Sequence, residues 1–201
     1  PIPNAYDLFF FSGEKNHKKI KLYRYVMPYY RGENFKIWAN KETCPHRLAQ
    51  VISLIADELY QLHEIQIIHG DLTHHNILVS EEENKHDIHF IDFGFAYPAN
   101  GEIPSLYTND QRYPPERQNK ATQPSPKQDI YMLGKTFELF LLNHPCYDDL
   151  KLTYPSIDRF IHLSILENPE NRPTLKRFCE SLKKEMRDAT IHHPQAISLY
   201  A

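Results

Sequence analysis

Two runs of alternating apolar and polar residues open the chain, one around Tyr6–Phe11 and the other over Ile20–Tyr30. Alternation with a period of two is typical of β-strands that bury one face. The segment between them, residues 12–17, is polar and contains glycine and asparagine, which tolerate the backbone angles of tight turns. The pattern predicts an antiparallel β-hairpin.

From Pro45 onward the apolar spacing becomes that of a helix, with Thr43 as the expected cap and Pro45 in the first turn. One helical face carries the apolar residues Leu48, Val51, Ile52, Ile55, Leu59 and Leu62. Two short runs rich in β-formers follow, Asn76–Ser80 and Ile88–Phe93, and the charged segment 81–87 joins them. These runs predict a second hairpin.

The last third of the chain has helical spacing. One segment is apolar almost all round and carries a stripe of Ile130, Leu133, Phe137 and Leu141. Such a helix is usually buried in the centre of its domain. Two further helices are expected at Pro155–Leu166 and Thr174–Met186. The sequence predicts an α+β fold whose larger part is mostly helical.

Composition narrows the range of functions. The chain has 201 residues, 41% hydrophobic and 24% charged, which indicates one soluble globular domain. A net charge of −3 without a block of Lys or Arg argues against nucleic-acid binding, and no apolar run is long enough to suggest a membrane partner. The three cysteines are far apart in sequence, which favours a reducing, cytoplasmic location.

The candidate chemistry lies around the second hairpin. The segment His69-Gly70-Asp71-Leu72-Thr73-His74-His75-Asn76 leads into its first strand, and Asp92-Phe93-Gly94 follows its second. Because a hairpin reverses the chain, Asp92 is expected beside Asn76. Phosphoryl transfer needs a metal held by hard oxygen ligands and a carboxylate near the attacking hydroxyl. Asp92 and Asn76 suit magnesium, which leaves Asp71 to orient the hydroxyl and accept its proton.

These residues resemble the protein kinase family, whose pattern is H-R-D-L-x-x-x-N followed by D-F-G. The resemblance extends downstream in the family's order, through Tyr113-Pro114-Pro115-Glu116, Asp129-Ile130-Tyr131-Met132-Leu133-Gly134 and Asn168-Pro169-Glu170-Asn171-Arg172-Pro173-Thr174. It implies that Asp129 holds the backbone of the catalytic loop. It also implies that Arg172 forms a buried ion pair with Glu116.

Upstream, Leu22–Gly32 resembles the strand and hinge that bind adenine in kinases. The resemblance implies a gatekeeper at Met27, contacts to the base from the backbone of Pro28 and Tyr30, and an adenine floor at Leu78. It divides the chain into the end of an N-lobe, residues 1–32, and a kinase C-lobe, residues 33–201. It implies ATP and Mg as cofactors, a protein substrate, and catalytic roles for Asp71, Asn76 and Asp92.

Several positions depart from the family pattern. No G-x-G-x-x-G loop or V-A-I-K lysine precedes the hinge, so this stretch alone is expected to be inactive without the rest of an N-lobe. Gly70 replaces the arginine that reads activation-loop phosphorylation in kinases, which predicts that activity does not depend on phosphate at Ser105, Tyr107 or Thr108. Thr73 replaces the lysine that serine/threonine kinases usually have there, and the segment before Glu116 is one residue short. Both departures leave the class of phosphate acceptor open.

Three interpretations follow from the sequence. The leading one is an ATP- and Mg-dependent protein kinase that acts on serine or threonine. The second is an atypical or small-molecule phosphotransferase, which the Gly70 variant of the loop favours. The third is a pseudokinase that binds partners without transferring phosphate. The adjacent histidines His74 and His75 are interpreted as loop residues and not as a metal site, because neighbouring side chains rarely bind one ion.

Overall fold

A computed structural model describes residues 7–15, 18–26, 28–83, 85–101, 112–118 and 123–192. The chain opens with strands β1 (Asp7–Lys15) and β2 (Lys18–Val26), paired antiparallel from Asp7 opposite Val26 to Lys15 opposite Lys18. The predicted hairpin is therefore confirmed, but its turn is shorter than expected. Residues 12–15 continue the strand, because the polar run still pairs across the ladder.

A short strand β3 (Glu33–Asn34) leads into helix α1 (Phe35–Lys41), which the sequence analysis did not predict. The Asn34 side chain caps this helix by accepting a hydrogen bond from the Ile37 N–H at 3.1 Å. With so few residues, α1 shows too little periodicity to be recognised, and it is held by the burial of Phe35, Trp38 and Ala39.

Helix α2 (Pro45–Glu64) follows the predicted apolar stripe, which is buried along its whole length. Its cap is Cys44 and not Thr43, so that prediction was wrong. The Glu42 carboxylate lies over the helix start and accepts from the N–H groups of Thr43 and Cys44, at 2.9 and 2.8 Å. An acidic side chain just before the helix thus satisfies backbone donors in place of the expected hydroxyl.

The middle of the chain forms two small antiparallel ladders. Strand β4 (Ile67–Ile68) pairs with β7 (Tyr97–Pro98), whereas β5 (Ile77–Glu82) and β6 (Lys85–Phe90) form the predicted second hairpin. Its strands extend to Glu82 and Lys85, so the turn is shorter than predicted, and Glu83 has a positive φ of 50° there. Strand β3 adds to β5, giving the order β3-β5-β6.

Four helices complete the described chain: α3 (Pro126–Leu141), α4 (Tyr147–Thr153), α5 (Pro155–Ser164) and α6 (Leu175–His192). The predicted central helix α3 is buried on nearly all sides. It approaches α5 closely because Gly134 has no side chain. A Cβ at that position would lie 1.8 Å from Ser164 Oγ. Helix α4 was not predicted, again because it is short.

A single hydrophobic core joins these elements, as a chain of aromatic contacts shows. Phe35 packs on Phe137 with ring centroids 5.7 Å apart, Phe137 on Phe160 at 6.2 Å, and Phe160 stacks on Phe178 at 4.1 Å. These contacts link α1, α3, α5 and α6, while the inward residues of β5 and β6 cover α2. The predicted α+β class with a mostly helical larger part is confirmed.

Cys44, Cys146 and Cys179 are all buried free thiols. Within the described residues, no helix combines the length and the apolar character needed to cross a membrane.

Candidate functional site

The candidate site is built on the loop of residues 69–76, which begins directly after β4 and ends at β5. Asp129, in the first turn of α3, holds the back of this loop. One Asp129 carboxylate oxygen accepts from the His69 N–H at 2.8 Å, and the other accepts from the Gly70 N–H at 2.9 Å. His63 Nε2 also contacts the carboxylate, at 2.9 Å. The role that the sequence analysis expected for Asp129 matches these contacts.

Asp129 is fully buried, yet its pKa lies below the usual value for an aspartate. Burial itself pushes the pKa upward, but the hydrogen bond and nearby charge of His63, the proximity of His69, and the Gly70 N–H together outweigh it. The carboxylate is therefore stable as an anion, because both of its oxygens accept hydrogen bonds.

The imidazole of His69 holds the loop from a second side. Its Nε2 lies 3.1 Å from the Ile91 carbonyl, and its Nδ1 accepts from the Asp71 N–H at 3.3 Å. These partners require a neutral ring with the proton on Nε2. Burial lowers the pKa of His69 in agreement with that state. The ring thus connects the 69–76 loop to the end of β6.

Gly70 occupies a position that no other residue could take without a shift of the backbone. Its φ is +77°, and an added Cβ would lie 2.2 Å from the Phe95 carbonyl oxygen. Side chains rarely adopt this φ, and backbone atoms cannot move aside cheaply. The glycine that departs from the kinase pattern is therefore a requirement of this loop.

Asp71 faces the open side of the loop and is half-buried. Asn76 Nδ2 donates to the Asp71 carbonyl at 2.8 Å and to its Oδ2 at 3.1 Å. The Tyr113 hydroxyl donates to Asp71 Oδ1 at 2.6 Å. Both carboxylate oxygens therefore have hydrogen-bond partners, one from the same loop and one from the segment before Glu116.

Asp92 arrives beside Asn76 through the hairpin, as the sequence predicted. Ile77 is opposite Phe90 in the ladder, and the Ile91 N–H donates to the Asn76 carbonyl at 3.0 Å. Asp92 is the next residue, exposed, with φ 60°, and its Oδ1 accepts from the Gly94 N–H at 3.3 Å. Aspartate is one of the few residues that adopt this left-handed conformation readily.

The donor set at this edge fits magnesium. Asn76 uses its amide nitrogen on Asp71, so its Oδ1 has no hydrogen-bond partner in the described structure. The Oδ2 of Asp92 has none there either. An amide oxygen and one carboxylate are hard ligands of the kind that bind magnesium together with phosphate and water oxygens.

His74 and His75 lie side by side on the loop. Their rings lie 3.9 Å apart, and His74 also packs against Phe140 at 4.5 Å. Across the described parts of the chain, no group of three or more His, Cys, Asp or Glu residues could hold a metal ion. Burial and the nearby charges of His75, Lys36 and Arg112 lower the pKa of His74 to about 4.

The expected adenine-binding residues lie partly within the described structure. Tyr30 stacks on His89 with ring centroids 4.2 Å apart, and His89 is the cross-strand partner of Leu78. Leu78 and His89 therefore share the outward face of the β5–β6 hairpin, next to Tyr30. Pro28 is half-buried. Met27 lies outside the described residues.

The ion pair between Arg172 and Glu116 is a second anchor of the site. The guanidinium donates to both Glu116 oxygens, at 2.6 and 2.8 Å. It also donates to the carbonyls of Leu166, Lys127 and Glu167. All three nitrogens of this fully buried guanidinium therefore have hydrogen-bond partners. The expected ion pair is present, and it fixes the chain segment that contains Tyr113.

The next residue in that segment, Arg117, reaches back to the loop. Its Nη1 donates to the Gly70 carbonyl at 2.6 Å, and its guanidinium lies over the rings of Tyr97 and Tyr113, at 5.7 and 5.2 Å from their centroids. Arg117 therefore supports both Gly70 and the tyrosine on Asp71.

Comparison with known proteins agrees with this geometry. The model of the protein kinase domain matches residues 14–195. The chain belongs to the protein kinase domain family. The kinase-like fold expected from the sequence is thus confirmed.

Curated relatives fall into two groups. The chain is 29% identical over 120 residues to the EKC/KEOPS complex subunit bud32 of Dictyostelium discoideum, covering 58% of this chain and 46% of that protein. It is 27% identical over 187 residues to the serine/threonine-protein kinase PknG of Mycobacterium leprae, covering 85% of this chain and 23% of that protein. It is 31% identical over 139 residues to the serine/threonine-protein kinase PrkC of Bacillus subtilis, covering 66% and 20%. The chain thus spans less than half the length of these relatives.

Three contributors to this kinase-domain site were missed by the sequence analysis: His63, Tyr113 and Arg117. Tyr113 was assigned only to the closing motif of its segment, because no spacing rule shows that its ring turns toward Asp71. Arg117 follows Glu116 directly, and its charge was the one signal in the sequence for a contact with a polar group. His63 is buried in the last turn of α2, and no local pattern shows that its ring contacts Asp129.

Proposed function

We propose that this kinase domain is part of an ATP- and Mg-dependent protein kinase that transfers the terminal phosphate to a serine or threonine hydroxyl of a protein. The observation that carries the proposal is the arrangement at one edge of the hairpin. Asn76 bonds directly to Asp71 and, through its carbonyl, to the residue before Asp92. These contacts support a site for phosphoryl transfer in which Asp71 and Asn76 lie on the loop anchored by Asp129 and Asp92 follows the neighbouring strand β6.

In this proposal Asp71 orients the acceptor hydroxyl and takes its proton. Support comes from the contact that Asp71 already makes, because its Oδ1 accepts from a hydroxyl at 2.6 Å. That distance lies within the range over which a general base can act. The anchored backbone on either side of Asp71 keeps the carboxylate in place, which is how positioning lowers the barrier.

Asn76 Oδ1 and the Asp92 carboxylate would hold the magnesium. Bound there, the ion would neutralise charge on the phosphate oxygens. The chain's own contribution is to preset both ligands, since the Asn76 amide is fixed by Asp71 and Asp92 is fixed by the Gly94 N–H. The nucleotide base would lie against Leu78, with contacts from the backbone of Pro28 and Tyr30 and from the side chain of Met27.

The choice of a protein acceptor rests on two features. Asp129 and the Arg172–Glu116 pair form the anchors expected of protein kinases, and small-molecule phosphotransferases generally lack both. The likeness to two bacterial serine/threonine-protein kinases supports the same acceptor class. A second candidate, an atypical or small-molecule phosphotransferase, is favoured by Gly70, whose position excludes the usual arginine.

The test is transfer from Mg-ATP by the complete protein to a mixed protein substrate, followed by mass spectrometry of the products. We expect phosphoserine or phosphothreonine, and we expect Asp92→Ala to abolish it. The matched control is Asp148→Ala, an exposed aspartate on α4 away from the loop.

Three other outcomes would reject parts of the proposal. Transfer that survives in Asp92→Ala contradicts the assigned metal site. Phosphorylation of small metabolites but no protein favours the second candidate. Binding of ATP without any transfer indicates a pseudokinase.

A further inference from the structure

The proposed function assigns no role to the side chain of Tyr113 itself. Its hydroxyl is 2.6 Å from Asp71 Oδ1, where the acceptor hydroxyl of a substrate would have to bind. The other oxygen, Oδ2, accepts from Asn76. Each oxygen thus already accepts one hydrogen bond, and an acceptor hydroxyl that approaches Oδ1 has to share it with Tyr113 or displace the Tyr113 hydroxyl.

Of the two, Tyr113 is the partner that can leave. Asn76 is buried, lies at the start of β5 and also bonds to the Asp71 carbonyl. Tyr113 is half-buried and lies in the turn before Pro114, with only its side chain crossing to the loop. Rotation of one side chain frees Asp71 Oδ1, whereas release of Asn76 would disturb the loop and the strand together.

Neighbouring residues hold the Tyr113 side chain in its contact with Asp71. The Arg117 guanidinium lies 5.2 Å from the Tyr113 ring centroid and is held by the Gly70 carbonyl, so the ring is supported from the side of the loop. Glu116, between Pro115 and Arg117, is fixed by Arg172. Burial, followed by the hydrogen bond to Asp71, raises the pKa of Tyr113, so the hydroxyl keeps its proton and remains a donor.

We propose that Tyr113 is a gating residue that occupies the acceptor position on Asp71 in the resting protein, so that a protein substrate must displace its hydroxyl before transfer. The inference rests on the proposed function of Asp71. A closed gate reduces the apparent affinity for the acceptor by the fraction of molecules in which it is open. It leaves the chemistry unchanged once the acceptor is bound.

The experiment compares the complete wild-type protein with Tyr113→Phe and with Tyr147→Phe as a matched control. Tyr147 also donates to an aspartate, Asp158, at 2.6 Å, but on α4 and α5, away from the site. Kinetics are measured with Mg-ATP and the peptide that wild type phosphorylates fastest in a library presenting Ser, Thr and Tyr. Intrinsic ATP hydrolysis is measured without peptide.

We expect Tyr113→Phe to lower KM for the peptide by up to about tenfold, the lower end of what a hydrogen bond to a charged group contributes. The kcat for transfer and the KM for ATP should stay within about twofold of wild type, because the gate acts only on acceptor binding. ATP hydrolysis should rise, since water also gains access to Asp71. Tyr147→Phe should match wild type in all of these measurements.

Several results would overturn the gate. A lower kcat with an unchanged peptide KM would mean that Tyr113 supports Asp71 and does not block it. Unchanged kinetics and unchanged ATP hydrolysis would mean that the contact has no role. Phosphate on Tyr113 itself would make it a substrate. If wild type modifies no peptide, ATP hydrolysis decides, and an equal rate in Tyr113→Phe rejects the gate.

An Asp92→Ala arm keeps the two proposals distinguishable. Loss of transfer in Asp92→Ala together with wild-type kinetics in Tyr113→Phe rejects the gate alone. Undiminished transfer in Asp92→Ala rejects the assigned phosphotransfer site.

Discussion

Two sets of charged side chains that belong to the site and its anchors have opposite surroundings. Asp129 and Arg172 are buried, and every oxygen or nitrogen that they turn inward has a partner. Asp71 and Asp92 face the open edge of the site, and Asp92 keeps one carboxylate oxygen without a hydrogen bond in the described structure. The first pair holds backbone in place, while the second presents charge to whatever enters.

The comparison separates side chains that stabilise the fold from side chains that are available for chemistry. A buried charge is tolerated only when its partners are complete, so loss of one partner costs much stability. The exposed carboxylate of Asp92 contributes little to folding and remains available for ligands. Substitutions at the two pairs should therefore move different measurements.

The largest effect on stability is expected at Arg172. Replacement by alanine removes the buried guanidinium from the half-buried carboxylate of Glu116 and from three carbonyls. We expect a loss of about 3–5 kcal/mol in the free energy of unfolding, the range for a broken buried ion pair. Denaturant unfolding of the variant and wild type measures it. A loss below about 1 kcal/mol would show that the pair is not an anchor.

Asp129→Ala should cause the second-largest loss of stability. It strands the N–H groups of His69 and Gly70, two buried backbone donors that would find no replacement. At about 1–3 kcal/mol for each unsatisfied donor, we expect a loss of about 3 kcal/mol. Hydrogen exchange at these two amides should accelerate with it. Amides that stay protected in the variant would contradict the assignment of Asp129 as their acceptor.

Asp71→Asn sharpens the comparison, because it should change activity and not stability. The substitution keeps the shape of the side chain and its contacts with Tyr113 and Asn76 can be partly retained. We expect the free energy of unfolding to change by less than about 0.5 kcal/mol. Transfer should fall by at least about a hundredfold, while ATP binding measured by calorimetry is spared. Near-wild-type turnover would remove Asp71 from its proposed role.

The smallest expected effect is a pH dependence at His74, a half-buried residue of the loop. Burial and neighbouring positive charge lower its pKa from 6.5 to about 4, so the unfolded chain binds a proton there that the folded protein rejects. Its contribution to stability is full above about pH 6.5 and is lost as the pH falls toward 4. Because the ring is partly exposed, solvent screening reduces the effect to about 1 kcal/mol.

The measurement is the free energy of unfolding at pH 7 and pH 5 for wild type and for His74→Gln. The decrease between the two pH values should be smaller in the variant. An equal decrease in both proteins would assign the pH dependence to other histidines.

Features that depend on neighbouring residues could be predicted from the sequence, whereas features that depend on contacts between distant residues could not. The hairpin that brings Asp92 to Asn76 follows from local alternation and a turn, and the burial of α3 follows from its apolar surface. The short helices α1 and α4 were missed because their stability comes from packing of a few residues such as Phe35 and Leu150 and not from periodicity.

Within the site, the predictable part was the set of carboxylates, and the unpredictable part was their partners. The contact between Tyr113 and Asp71 joins residues 42 positions apart, and that between Arg117 and Gly70 joins residues 47 apart. Such contacts depend on the path of the chain between 76 and 113, which no local pattern determines.

The backbone at Gly70 has a consequence for engineering and for evolution. Phosphorylation-dependent kinases use an arginine at this position, but here one substitution would place a Cβ 2.2 Å from the Phe95 carbonyl. An arginine could be accepted only after the stretch around Phe95 had moved. Phosphorylation control through an arginine at position 70 would therefore require at least two coordinated changes in this chain. A designer who wanted such control should first alter the backbone path of residues 93–97.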